Sequence, residues 1–218
     1  MSPAPRAPRV VLLHGLWMPA WSLLPLERRL RRSGFATTRF AYRSWSGALA
    51  PAAQALRARL QDVAAGELHL VGHSLGGLLL LELYRLGYRH PGRAVALGSP
   101  FAGSLAARRL GACGAGRWLL GRNAEPLRCG GGELPGDVEL GVIAGARPWG
   151  LGRWVTGVPA PSDGTVRVAE TRLDGARDRL QLPLTHLSLL TARSAAEETA
   201  HFLRHGCFSP GPSRSMGM

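Results

Sequence analysis

The segment Val71–Gly77 reads VGHSLGG and joins a short apolar run, Leu68–Val71, to a longer one, Leu78–Leu81. Apolar runs of these lengths predict a strand followed by a helix, so the G-x-S-x-G pattern lies at a strand-to-helix turn. Such a turn exposes Ser74 at its tip, and the glycines on either side let the chain fold tightly around it. A bare G-x-S-x-G pattern also arises by chance, but its position between a strand and a helix favours a nucleophilic serine.

The rest of the chain alternates between buried-strand patterns and helical patterns. We predict strands at Val10–Leu13, Phe35–Tyr42, Glu67–Val71, Ala94–Leu97, Val138–Ala144 and Arg179–Leu182, and helices at Trp21–Arg32, Leu49–Ala65, Leu75–Leu86 and Ala192–Arg204. This alternation predicts one α/β domain over residues 1–208, with about six mostly parallel strands and helices on both faces. Residues 209–218 are predicted to form a flexible tail. Ligands of such sheets bind beyond the carboxyl ends of the strands.

Residues 101–136 interrupt this rhythm with a Gly-, Arg- and Leu-rich sequence. The segment begins with a predicted helix, Leu105–Leu110, and is then expected to loosen. A long insertion over the strand ends is often a lid or a wall of the binding pocket. A loose surface excursion is the alternative.

A nucleophilic serine needs a base, and the base needs an acid that orients it. Of the seven histidines, His186 follows the last predicted strand, where the base is expected, although a surface-loop histidine would look the same. His73 lies inside the turn, and its side chain is expected to point away from that of Ser74. Asp163 lies in a Pro- and Gly-rich loop after the fifth strand, so we predict that it is the acid; the alternative is an Asx turn.

Two backbone N–H groups are expected to form an oxyanion hole. The first belongs to Leu75, the residue after the nucleophile. The second is expected from the loop after the first strand, where Gly15 permits a close approach and the amide of Leu16 or Trp17 can point inward.

Taken together, these segments resemble the α/β-hydrolase superfamily, and in particular its compact bacterial lipases and esterases. The resemblance rests on His14-Gly15, on GHSLGG at 72–77, on DGTV at 163–166 and on His186, in the order Ser, Asp, His. It spans Val10 to about Phe208 and departs from the compact members at the 101–136 insertion.

The resemblance implies that Ser74 is the nucleophile, His186 the base and Asp163 the orienting acid, with Leu16 and Leu75 as oxyanion donors. It implies a serine hydrolase that cleaves carboxylic esters through an acyl-enzyme on Ser74, without a metal or an organic cofactor. An acyl-thioesterase, amidase or acyltransferase would use the same three residues. A catalytically silent scaffold at a membrane is an alternative of a different class.

Aromatic residues near the predicted strand ends are candidates for an apolar acyl pocket, although packing in the core is an equal alternative. These candidates are Trp17, Trp21, Phe101, Trp149 and Trp154. The expected substrates are small-molecule or lipid esters.

The net charge is +13, and all 27 basic residues are arginine. Because the arginines are scattered and not interleaved with aromatic residues, specific binding of nucleic acid is not expected. The charge does predict a weak attraction to anionic membrane surfaces. The sequence shows no signal peptide and no transmembrane run, which makes the cytoplasm the expected location.

The three cysteines fit no zinc-binding pattern. Their odd number argues against a disulfide framework. A bridge between Cys113 and Cys129 remains an alternative for a secreted chain.

Overall fold

Six short segments form one parallel sheet in the computed structural model, which describes residues 7–61, 67–149 and 157–210. The strands are β1 (Arg9–Leu13), β2 (Ala36–Phe40), β3 (Leu68–His73), β4 (Ala94–Leu97), β5 (Leu140–Gly145) and β6 (Asp178–Leu182). Their order is β2-β1-β3-β4-β5-β6, and every neighbouring pair is parallel. The predicted α/β fold is therefore confirmed, and all six carboxyl ends meet at one edge of the sheet.

Eight α-helices accompany these strands in the described part of the chain. They are α1 (Leu24–Arg32), α2 (Leu49–Gln61), α3 (Leu75–Arg85), α4 (Leu105–Leu110), α5 (Gly114–Leu120), α6 (Ala124–Cys129), α7 (Ser188–Thr191) and α8 (Arg193–His205). A 3-10 turn, Ala20–Leu23, precedes α1 within the predicted helix Trp21–Arg32. The last residues of the predicted helix Leu49–Ala65 and most of the predicted tail lie outside the described residues.

The sheet has an apolar cluster on each face, as expected when helices cover both sides of parallel strands. One cluster packs α2, α3 and the insertion against the sheet, and the other packs α1 and α8. Helix α3 is buried on nearly all sides, from Leu75 to Tyr84, which explains its almost continuous run of leucines. Burying one such leucine contributes roughly 1.5–3 kcal/mol, so α3 is held firmly behind Ser74.

The 101–136 insertion does not loosen after Leu110, as the sequence predicted, but folds into the short helices α4, α5 and α6. The thiol of Cys113 accepts a hydrogen bond from the Gly116 amide at the start of α5. The buried amide of Asn123 donates to the carbonyl oxygens of Ser44 and Gly47, at 2.7 and 2.8 Å. Contacts with distant loops stabilise these helices, and a Gly- and Arg-rich sequence does not reveal such contacts.

The cysteines Cys113, Cys129 and Cys207 are free thiols at the surface. The alternative of a bridge between Cys113 and Cys129 is therefore wrong for this structure. Among the described residues, no helix is both long and apolar enough to cross a membrane.

Candidate active site

Ser74 lies between the end of β3 and the first residue of α3, in a backbone conformation that non-glycine residues rarely adopt. Its φ is 54° and its ψ is −118°. Such a conformation costs roughly 1–3 kcal/mol and persists only where the surroundings impose it. The Ser74 amide donates to the Leu97 carbonyl oxygen at 2.9 Å, which ties the turn to β4. The strained strand-to-helix turn predicted from the sequence is thus present.

The two glycines that flank Ser74 are required by the close approach of backbone segments. A Cβ on Gly72 would lie 2.5 Å from the carbonyl group of Gly76. A Cβ on Gly76 would lie 2.5 Å from the Leu13 carbonyl oxygen at the end of β1. The two glycines of the G-x-S-x-G pattern are therefore needed because the turn packs tightly against itself and against β1.

His186 and Asp163 form a short hydrogen bond although they are 23 residues apart. His186 Nδ1 lies 2.6 Å from Asp163 Oδ2, and the carboxylate is almost fully buried. The other carboxylate oxygen accepts hydrogen bonds from the amides of Thr165 and Val166, at 2.9 and 2.7 Å. An ionised carboxylate only accepts, so the proton lies on Nδ1 and leaves the Nε2 lone pair free to receive a proton.

Ser74 and His186 both line an apolar cavity of about 540 Å³. Among the described residues, neither the Ser74 hydroxyl nor Nε2 of His186 makes a hydrogen bond, so no direct bond joins these two side chains. Bonds between a catalytic serine and its base are often long before substrate binds. The structure thus brings three side chains from distant parts of the sequence to one end of the sheet.

The backbone amides predicted to form an oxyanion hole belong to two segments that adjoin Ser74. Leu75 is the first residue of α3, where helical amides have no partner within the helix. Leu16 lies in a turn that is closed by a 3.4 Å hydrogen bond from the Met18 amide to the Gly15 carbonyl oxygen. Neither amide donates to another described residue. A Cβ on Gly15 would lie 3.2 Å from Ser74 Cβ, so this turn lies directly against the serine.

His73 contacts the site through His186, a contact that sequence reasoning missed. Its Nε2 lies 3.0 Å from the His186 carbonyl oxygen, and the two rings are 4.6 Å apart. Because a carbonyl oxygen only accepts, Nε2 carries the proton. Burial, and to a smaller extent the repulsion between the two imidazoles when both are protonated, lowers the pKa of His73 to about 3. Strand alternation places His73 opposite Ser74, but only the folded chain shows that the His186 loop passes on that side.

Glu170 is a second residue that the sequence did not single out. Its buried carboxylate accepts hydrogen bonds from the Leu105 amide at 2.8 Å and from the Arg167 amide at 2.9 Å. Leu105 begins α4, whereas Arg167 follows the Asp163 loop. The carboxylate therefore joins the insertion to the loop that carries the candidate acid.

The pocket candidates separate into two groups. Trp17 and Trp149 line the cavity and are largely exposed, at 57% and 68%. Phe101 is not a pocket residue, because it is buried in the core beneath the insertion. Trp21 is exposed but does not line the cavity, and Trp154 lies outside the described residues.

Helices α4, α5 and α6 provide much of the cavity wall. Their lining residues are Ala106, Ala107, Leu110, Leu119, Leu120 and Leu127. The insertion therefore contributes apolar side chains to the lining of the cavity. In the ranges the structure describes, no group of three His, Cys, Asp or Glu side chains is arranged to hold a metal ion.

The sheet and its covering helices have the architecture of the α/β-hydrolase fold. The family model of the alpha/beta hydrolase family matches residues 10–207, and the chain belongs to this family. No curated protein sequence matches this chain.

Several solved structures share this fold. The mature lipase BlEst2 of Bacillus licheniformis aligns with a TM-score of 0.71 and 18% identity over 93% of each chain. Carboxylesterase CesB (YbfK) of Bacillus subtilis aligns with a TM-score of 0.59 and 15% identity, covering 92% of this chain and 84% of that one. The RedJ thioesterase of Streptomyces coelicolor aligns with a TM-score of 0.57 and 18% identity, covering 94% and 96%. At these identities the likeness shows the fold alone.

Proposed function

We propose that this protein hydrolyses carboxylic esters through an acyl-enzyme on Ser74. The observation that carries the proposal is the Asp163–His186 hydrogen bond at the rim of an apolar cavity that Ser74 also lines. The fold alone leaves the reaction open, because its solved relatives include lipases, carboxylesterases and a thioesterase.

In the proposed reaction, Nε2 of His186 takes the Ser74 hydroxyl proton as Oγ attacks the acyl carbon. Asp163 keeps the imidazole in the tautomer whose Nε2 lone pair is free and stabilises the imidazolium that forms. The amides of Leu16 and Leu75 donate to the developing oxyanion. The alcohol then leaves with the proton from His186, and a water molecule activated by His186 releases the acid.

The cavity favours hydrophobic substrates. Apolar side chains make up most of its wall, and four of them are also exposed to solvent at 39–68%: Trp17, Leu119, Trp149 and Leu187. An apolar rim around the cavity suits an acyl chain that enters from solvent or from a lipid surface. The net charge of +13 supports weak association with anionic lipid, and the free cysteines support a reducing location such as the cytoplasm.

A serine-directed fluorophosphonate tests the proposal at its centre. We expect the probe to label the wild-type protein and Ser22→Ala, and to leave Ser74→Ala unlabelled. Ser22 is a suitable control because its hydroxyl bonds only to the nearby Pro19 carbonyl oxygen at 2.7 Å. Labelling that persists in Ser74→Ala would overturn the assignment, and a folded wild-type protein that takes no label would favour the silent scaffold.

Turnover separates the hydrolase classes that share these residues. We expect p-nitrophenyl esters with short to medium acyl chains to be hydrolysed and this activity to be lost in Ser74→Ala. A protein that cleaves acyl-thioesters but no oxygen esters would instead be a thioesterase. The fold similarity to the RedJ thioesterase makes this comparison worthwhile.

A further inference from the structure

Trp17 has a backbone conformation that needs an explanation. Its φ is 58°, and among the described residues it shares positive φ with only one other non-glycine residue, Ser74. A bulky side chain rarely occupies this region unless other contacts hold it there. Trp17 occupies the third position of the Gly15–Met18 turn, where a type II turn requires positive φ. The strained residue therefore fixes the turn that presents the Leu16 amide beside Ser74.

The indole of Trp17 supplies a contact that can hold this strain. Its Nε1–H donates to the Leu119 carbonyl oxygen at 2.9 Å, across 102 residues of sequence. Leu119 lies in the last turn of α5, where helical carbonyl oxygens have no partner within the helix. The same leucine lines the cavity, so one hydrogen bond links the Gly15–Met18 turn, the oxyanion turn, to the pocket wall.

A second tryptophan makes a similar bond without touching the oxyanion turn. Trp45 Nε1 donates to the carbonyl oxygen of Trp118, the residue before Leu119, at 2.9 Å. The two indoles thus bind consecutive carbonyl groups of α5 from two different loops. Both anchor the insertion, but only Trp17 belongs to the turn beside Ser74.

We propose that Trp17 is a positioning residue whose indole bond to Leu119 holds the oxyanion turn in its active conformation. The inference rests on the ester hydrolysis proposed above. It assigns the insertion a part in the chemical step in addition to its part in forming the pocket. Loss of the indole N–H lets the turn relax, and the Leu16 amide then moves away from the developing oxyanion.

The test compares Trp17→Phe with Trp45→Phe, which each remove one indole donor to α5. We expect Trp17→Phe to lower kcat about 10- to 100-fold with little change in KM, because a misplaced oxyanion donor weakens transition-state binding only. Trp45→Phe should keep kcat within about twofold of wild type, since its bond lies outside the turn. Benzothienylalanine at position 17 matches the shape of tryptophan without the N–H and should reproduce the loss even if the Phe variant folds poorly.

Esters with short and long acyl chains distinguish a positioning role of Trp17 from a role as a pocket-lining residue. With p-nitrophenyl acetate, which leaves most of the cavity empty, a positioning role predicts the same loss of kcat as with the octanoate ester. If only the KM for octanoate rises, or if both tryptophan variants behave alike, the inference is wrong. A wild-type protein that neither hydrolyses these esters nor takes the fluorophosphonate would instead refute the proposed function itself.

Discussion

A single methyl group added at Gly98 should disable the acid–base pair without replacing either of its side chains. Gly98 follows β4 with φ of 57°, and a Cβ there would lie 2.9 Å from Asp163 Oδ2 and 3.2 Å from His186 Nδ1. Since unstrained contacts begin at about 3.5 Å, the carboxylate or the imidazole must move by roughly half an ångström. A displacement of about 1 Å at a catalytic group can cost about 10²-fold. We therefore expect Gly98→Ala to lower kcat/KM about 10-fold or more.

The control for Gly98→Ala is Gly87→Ala. Gly87 has φ of 77°, but a Cβ there would meet nothing within 4 Å. Both variants carry a left-handed alanine, which costs about 1–2 kcal/mol of unfolding free energy, so urea unfolding should show similar losses from this source. Only Gly98→Ala should lose esterase activity. Wild-type activity in folded Gly98→Ala, or equal losses in both variants, would refute the steric reasoning.

Three further predictions concern the pocket, the buried histidine and the surface charge. Ala107→Trp fills the cavity from α4 and should lower kcat/KM for the octanoate ester about 10-fold or more, with little change for the acetate ester. Ala112→Trp, at an exposed position of the same insertion, should change kcat/KM for neither ester. Equal losses in the two variants would contradict the assignment of Ala107 to the cavity wall. Because the pKa of His73 is about 3 in the fold and about 6.5 when unfolded, the unfolded chain binds the extra proton between these values, so stability falls as the pH falls. The advantage in unfolding free energy of wild type over His73→Gln should therefore shrink by about 1.4 kcal/mol for each pH unit from pH 6 to 4, and a pH-independent difference in urea titrations would disprove it. Sedimentation with phosphatidylglycerol vesicles should show binding that weakens as the salt concentration rises from about 50 mM to 500 mM. At a given salt concentration Trp149→Ala should bind the vesicles more weakly than Trp21→Ala, although the two tryptophans are exposed to a similar degree. Binding that does not depend on salt would rule out the charge-driven contact.

Chain order was enough to predict most of the candidate site. Ser74 lies in a pattern that, between a strand and a helix, is typical of a tight turn, and the alternation of strands and helices places the Asp163 and His186 loops at the same end of the sheet. These predictions depend on short-range patterns and on the rule that parallel strands share one carboxyl edge. The strands matched to within a few residues; β3 runs on to His73, directly beside the serine.

The insertion shows where such reasoning fails. Residues 101–136 are rich in Gly, Arg and Leu, and helix α5 within them is bound by the indoles of Trp17 and Trp45, which precede it by many residues. Phe101 and Trp149 are both aromatic and both follow a strand, yet one is buried in the core and the other lies at the mouth of the cavity. Composition does not separate them, because burial depends on which helix covers each position.

The sequence by itself determined the sheet, the turn around Ser74 and the order of the three candidate residues, because hydrophobic periodicity and glycine sterics act over a few neighbouring residues. Only the tertiary structure revealed two other hydrogen bonds across the chain: His73 with the His186 carbonyl, and Trp17 with Leu119. Such bonds form between segments that approach only after the sheet and its covering helices have packed, so no local pattern encodes their partners.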